Sequence, residues 1–354
     1  MANNNWHIGL LLLAAKMFAG CSADIPELTV QDESSKEIKI QVCSTSSTDA
    51  TRANIISDNT DLQSHDIRID AYYHGTSTSL FDNAKLRYRS GYITRWEFYS
   101  TSSSDWTHYY WPIAGSVHSE AGTVGAVDFV GYVPYTPPSG IITINDYSDS
   151  NGPSFSAALP YTAGSPNTFD ESSQNDLQEF LYAYKTNQRN DYDGATPKTG
   201  DNIGKVALDF QHPFALVNIY LKSVRRGTII NTVELSGIAT SGTFIYSSGW
   251  SSLGTSATLS KSVGKESPIQ LNLNTLIGGP YIVIPQTLSG SNNLTVNQTY
   301  NESTGDIHGT INDTWLPGMI YNYYLDLGKD NGRILIDVEI EPWQTHEVPT
   351  IDVK

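Results

Sequence analysis

A single arginine stands in the stretch Ser44 to Ser57, "STSSTDATRANIIS". Its neighbours are small, hydroxylated or amide side chains, with too little apolar surface to offset the entropy of ordering them. Arg52 and Ala53 are therefore expected on an exposed, mobile loop, where chains are most readily nicked by proteases. The chemistry this stretch offers is hydrolysis by another protein's active site. No catalytic constellation of the chain's own is legible. There is no G-x-S-x-G, and "SVGKES" fails as a phosphate loop because Glu266 replaces Ser/Thr and Leu259 replaces the first glycine. The histidines never fall at a metal-binding spacing such as H-x-x-x-H. "NDYSDSNG" offers Asp149, Asn151 and Gly152 to a calcium loop, and "RNDYDG" offers Asp191, Asp193 and Gly194. Tyr147 and Arg189 occupy the first positions, where the site needs a hard oxygen ligand. Two glycosidase carboxylates would leave no sequence signature, and nothing points to them. The expectation is a protein that is not an enzyme, with no metal and no cofactor.

The second reactive group is the thiol of Cys21. An apolar run from Ile8 to Ala15 leads to Phe18-Ala19-Gly20-Cys21. It is too short to span a bilayer and ends in small residues, as an export leader does. It resembles a bacterial lipoprotein signal. That implies a signal peptide over residues 1–20, cleavage before Cys21 and acyl chains on its thiol, several of which anchor stably where one does not. A secreted protein whose leader merely contains a cysteine fits the same residues. Cys43, the only other cysteine, reads as a free thiol or a small buried hydrophobe.

The elements that must position these groups are strands. Of 354 residues, 39% are hydrophobic and only 16% charged, and 21 tyrosines outnumber 10 phenylalanines. This is the composition of an extracellular, turn-rich β protein. A net charge of −16 repels phosphate backbones and argues against nucleic-acid partners. Ile38, Ile40 and Val42 alternate with polar residues, as a half-buried strand requires. "HDIRIDAYYHG", "ITRWEFYS", "VGAVDFVGYVPY" and "GIITIND" follow as strands. Asp170 to Thr186 fits a short helical turn leading into a strand, and Thr186 to Asn202 is a polar linker. Beyond it, "KVALDF", "FALVNIYLK", "GTIINTVELSG", "GPYIVIPQ" and "YNYYLDLG" read as strands. In the last strand Ile334, Ile336, Val338 and Ile340 alternate with Leu335, Asp337, Glu339 and Glu341. Short, regularly spaced strands predict an all-β chain of two sandwiches, with a boundary near the end of the linker. The aromatics of "WEFYSTSSSDWTHYYWPI" suit either a core or stacking against sugars.

Several fragments in order carry a family resemblance: "ATRANI", "YYWPI" then "AVDFVGYVPY", "FLYAYKT", "VALDFQHPFALVNIYL", "YIVIPQTLSG", "LPGMIYNYYLDL" and "VEIEPW". Together they resemble the fimbrillin-like pilins of type V pili. The resemblance implies two tandem transthyretin-like β-sandwich domains, residues 53–203 and 204–354, behind a propeptide of residues 21–52. It implies an outer-membrane lipoprotein precursor, held by lipid on Cys21 and cut between Arg52 and Ala53 by an arginine-specific surface protease. The cut would free the strand of Ile38, Ile40 and Val42. Refilling its groove from another pilin subunit recovers roughly 5–9 kcal/mol from three aliphatic side chains. The family's donor lies at the C-terminus, here "QTHEVPTIDVK" with Val348, Ile351 and Val353. The implied destination is a cell-surface fimbrium that meets a host or bacterial surface ligand. The alternative is an outer-membrane surface lipoprotein that binds glycans and does not polymerise.

Overall fold

The computed structural model describes residues 37–44, 59–90, 95–112, 126–148, 152–161, 166–168, 180–189, 206–263, 275–328 and 334–343. These residues are all-β, with one helical turn at Asn59–Leu62. Among the ambiguous residues 170–186, the described part is strand from Leu181 onward.

The N-terminal half is built on an antiparallel six-stranded sheet. Its order is Leu181–Gln188, Val127–Val133, Ile67–Tyr73, Ser79–Arg89, Arg95–Ser100 and Asp105–Trp106. One face carries Ile67, Ile69, Leu86, Phe98, Val127 and Phe129, all buried. That face is covered by a second layer of two strands, Ile40–Ser44 and Val206–Phe210. The close approach of the layers explains Gly131. A Cβ there would stand 2.6 Å from Cζ of Phe210, so only glycine leaves room for the ring.

The C-terminal half is a sandwich of two sheets. Ala215–Ser223 lies between Thr275–Val283 and Met319–Asp326, and Leu335–Pro342 forms the far edge. The facing sheet orders Ser303–Gly309, Leu294–Tyr300, Ile229–Ala239, Ser256–Ser262 and Pro166–Thr168. Alternation puts Val217, Ile219 and Leu221 of one sheet against Val233, Leu235 and Val296 of the other. A third apolar cluster joins the outer faces. Tyr132, Phe155, Phe180, Phe214, Phe244 and Trp343 meet around a four-stranded sheet drawn from both halves of the chain.

The strand Val206–Phe210 begins the second half in sequence yet packs in the first half's core. Gly131→Ala tests this contact. The added methyl should destabilise the protein by about 1–3 kcal/mol, the usual cost of overpacking, read from a denaturant midpoint.

Candidate functional site

The residues predicted to form a removable strand are buried in the N-terminal core. Ile38 is 2% exposed, Ile40 8% and Val42 9%. The strand runs parallel to its partner, with Ile40 opposite Val206 and Ser44 opposite Phe210. Val206 N donates to the Lys39 carbonyl at 3.0 Å. On the other flank Ile38 N donates to the Tyr109 carbonyl at 2.8 Å, and Glu37 meets His108 Nδ1 at 2.6 Å. A parallel pair cannot be closed by a tight turn. Here the whole six-stranded sheet lies between the two strands in sequence. Taking Ile40–Ser44 away would uncover the Val206–Phe210 edge and a groove floored by the inner face of that sheet.

Cys21, Arg52 and Ala53 lie outside the described residues. So do Val348, Ile351 and Val353 of the predicted donor, and Asp149, Asn151, Asp191, Asp193 and Gly194 of the two acidic turns. Among the described residues, no group of three or more His, Cys, Asp or Glu could hold a metal. The aromatic run is divided by strand alternation. Phe98 and Trp111 are core residues at 4% and 3% exposure, whereas Trp106 stands on the opposite face.

Near the other end, the last described strand has an apolar face whose cover runs out. Ile334 is 9% exposed, but Val338 and Ile340 on the same face are both 42% exposed. Its acidic face is fixed by polar contacts at every second residue. Lys222 Nζ donates to Asp337 at 2.6 Å, Tyr324 to Glu339 at 2.9 Å and Asn322 to Glu341 at 2.7 Å. The strand ends in an anchor. Trp343 is 2% exposed, donates its backbone N–H to the Gly318 carbonyl at 2.7 Å and stacks on His212 with ring centroids 4.3 Å apart. Burial pushes the His212 imidazole down to about 3 from its ordinary 6.5.

Two expectations follow from these ends. Ile40→Ala should cost about 2–5 kcal/mol in a denaturant titration, as large-to-small changes in a closed core do. His212 is neutral in the fold but takes a proton when the chain unfolds below pH ~6.5. Stability should thus fall as pH drops from about 6.5 toward 3, by up to about 1.4 kcal/mol per pH unit from this group. Denaturant midpoints followed across that range should show a shallower decline for His212→Phe, which keeps a ring against Trp343.

A family model described as fimbrillin-like matches residues 51–343. Among solved structures, a fimbrial protein from Bacteroides vulgatus is 13% identical over 87% of this chain and 99% of its own, with a TM-score of 0.52. A cell-adhesion candidate from Bacteroides ovatus is also 13% identical, over 89% of this chain and 100% of its own, with a TM-score of 0.45. The tip fimbrial protein Mfa3 from Porphyromonas gingivalis is 11% identical over 79% and 94%, with a TM-score of 0.34. At such identities likeness speaks to fold alone, and of these three the Bacteroides vulgatus structure is similar enough to do so. No curated protein matches the sequence. With β sheets throughout the described residues and a family match from residue 51 to Trp343, just past the anchored strand, the chain belongs to the fimbrillin-like family.

Proposed function

We propose that the chain is a pilin exported as a lipoprotein on Cys21, cut between Arg52 and Ala53, and polymerised by strand exchange. Membership of the fimbrillin-like family makes it a non-enzymatic structural protein of a cell-surface fimbrium, with a pilin-like adhesion role beside other pilin subunits. The proposed route of assembly rests on one observation. The strand carrying Ile38, Ile40 and Val42 is held parallel to Val206–Phe210 and contributes three buried side chains to a core it does not otherwise build. Such a strand can leave without unthreading the rest of the sheet. The edge left behind would accept a strand from a second subunit, through backbone hydrogen bonds worth ~0.5–1.5 kcal/mol each and apolar plugs. A head-to-tail contact of this kind grows a filament instead of closing a dimer. The proposed donor is residues 344–354, with Val348, Ile351 and Val353 as plugs, extending from the anchored Trp343. The half-covered Val338 and Ile340 just before it favour a segment that finds its cover in another subunit. The tandem division at 203/204 belongs to the same reading, with Val206–Phe210 crossing it to serve the N-terminal core. The proposed precursor sits on the outer membrane through its lipid, and its partners are an arginine-specific protease and a surface ligand.

The N-terminal residue of the protein on intact cells tests the cut. A chain beginning at Ala53 is expected, with Arg52→Ala left as a full-length monomer and Cys21→Ala free of acyl label. A surface protein that begins at Cys21, or an Arg52→Ala variant that assembles like wild type, would overturn the cleavage step.

A further inference from the structure

The strand Ser79–Arg89 carries three cations on its outer face, Lys85, Arg87 and Arg89, at every second residue. Successive same-face positions on a strand are about 7 Å apart. Each cation rests on an aromatic ring: Lys85 is 4.3 Å from the Tyr135 centroid, Arg87 is 4.2 Å from Tyr99 and Arg89 is 5.0 Å from Trp106. Two carboxylates thread the row. Asp66 accepts from Lys85 at 3.0 Å and from Arg87 at 2.7 and 2.8 Å. Glu97 accepts from Arg89 at 2.9 Å and also from Arg95. The Arg87 hydrogen bond, opposed by burial and helped by Lys85, holds the Asp66 carboxyl below its ordinary pKa, so Asp66 stays charged. Four cations therefore share two carboxylates, and two positive charges remain uncompensated within the row. Asp105 alternates onto the opposite face from Trp106, and Asp82 lies toward the far end of the strand, at the register shift.

This local surplus stands on a chain of net charge −16. The arginines are reachable, with the side chains of Arg87, Arg89 and Arg95 being 39%, 42% and 50% exposed, while Lys85 is 15% exposed and is reached through the cavity at its end of the row. The rings beneath them and the carboxylates between them fix their spacing, so a ligand would lose little entropy in ordering them. At its Lys85 end the row runs into an open cavity of about 570 Å³. Its lining combines the Lys85–Asp66–Arg87 ion pairs and His65 with the neutral hydrogen-bonding side chains Gln63, Ser64, Tyr135 and Thr136. Fixed cations call for carboxylates, and the neutral hydrogen-bonding side chains of the cavity call for hydroxyl groups. A long phosphate polymer suits the row poorly, since two surplus charges would face the repulsion of the whole acidic chain.

We propose that this row and cavity form a binding site for an acidic saccharide, with sugar carboxylates on Lys85, Arg87 and Arg89 and a sugar ring in the cavity. None of its residues precedes Ala53, so the site does not depend on the Arg52 cut or on strand exchange. Calorimetric titration of the full chain with trigalacturonate, at low salt, tests it. Saturable binding is expected, and it should be lost with the fully methyl-esterified trisaccharide, which has the same sugars without the charges. Arg87→Gln should weaken binding about tenfold or more, the scale of a lost charge-assisted hydrogen bond. Arg89→Gln, away from Asp66, should weaken it without loss of fold, which a thermal melt checks. Equal binding of the methyl ester would overturn the site, as would unchanged affinity in Arg89→Gln. Absence of trigalacturonate binding would overturn it too, even if a sulfated oligosaccharide bound.

Discussion

The parallel contact between Ile40–Ser44 and Val206–Phe210 is the constraint on which the N-terminal half depends. A two-stranded sheet is marginal by itself. This one persists because Ile38, Ile40, Val42, Val206, Leu208 and Phe210 bury a common apolar face on the six-stranded sheet. The contact joins segments that the whole of that sheet separates in sequence. The first strand is held by few ties. It has one ladder on one flank, and on the other a single bridge from Glu37 to Tyr110 with the bond from Ile38. Gly131 belongs to the same constraint, because the lid can seat Phe210 only where the floor lacks a side chain.

The two ends of the described chain pose opposite problems. At the first strand an apolar face is fully covered, and the covering element hangs on few bonds. At the last strand the backbone is well paired and the acidic face is tied to Lys222, Tyr324 and Asn322, while Val338 and Ile340 lack cover. The Asn218–Asn322–Glu341 chain of hydrogen bonds crosses three strands and fixes the register of that edge. With Trp343 locked against His212, the strand is a rigid base. In the proposed assembly the following segment leaves this base in a defined direction, so its reach does not have to be paid for in entropy along the whole edge.

Alternation made the apolar strands legible. Ile38, Ile40 and Val42 read as a half-buried strand and are one, and Ile334 to Glu341 alternates as read. What alternation could not report was partnership. "KVALDF" stands at the head of the second half in sequence, but its parallel partner lies at the chain's start, and no local pattern encodes a contact that distant. Other strands escaped because their pattern is broken or polar. In Ser79–Arg89 the buried residues Ala84 and Leu86 keep period two, but Phe81, on the same side of the sheet, is three residues before Ala84. The register shifts there, and Asn83 adopts a φ of 52° with its N–H on Asp70. A bulge of this kind erases the signal that a window of fixed period looks for. Ser303–Gly309 has only Ile307 to offer a core, so composition reads it as loop. The Lys85, Arg87, Arg89 spacing was present in the sequence, but it becomes meaningful only when Asp66, Tyr99, Trp106 and Tyr135 are brought to the same face.

The same alternation lets one strand serve two purposes without conflict. Between Lys85 and Arg87 lies Leu86, 1% exposed and part of the core that the first strand closes. Across the ladder, Phe98 stands between Glu97 and Tyr99 in the same way. The inner face of the sheet therefore walls the groove of Ile38, Ile40 and Val42, and the outer face of the same residues holds the cationic row. Exchange of the first strand for another would replace apolar contacts on one side of a pleated sheet whose backbone pairing, from Ile67–Tyr73 to Asp105–Trp106, is complete without it. The cations on the other side take their positions from that pairing and from rings on their own face. In the proposed assembly a subunit would change what fills its groove while the spacing of its surface charges stays fixed, because each is set by a different side of the same strands.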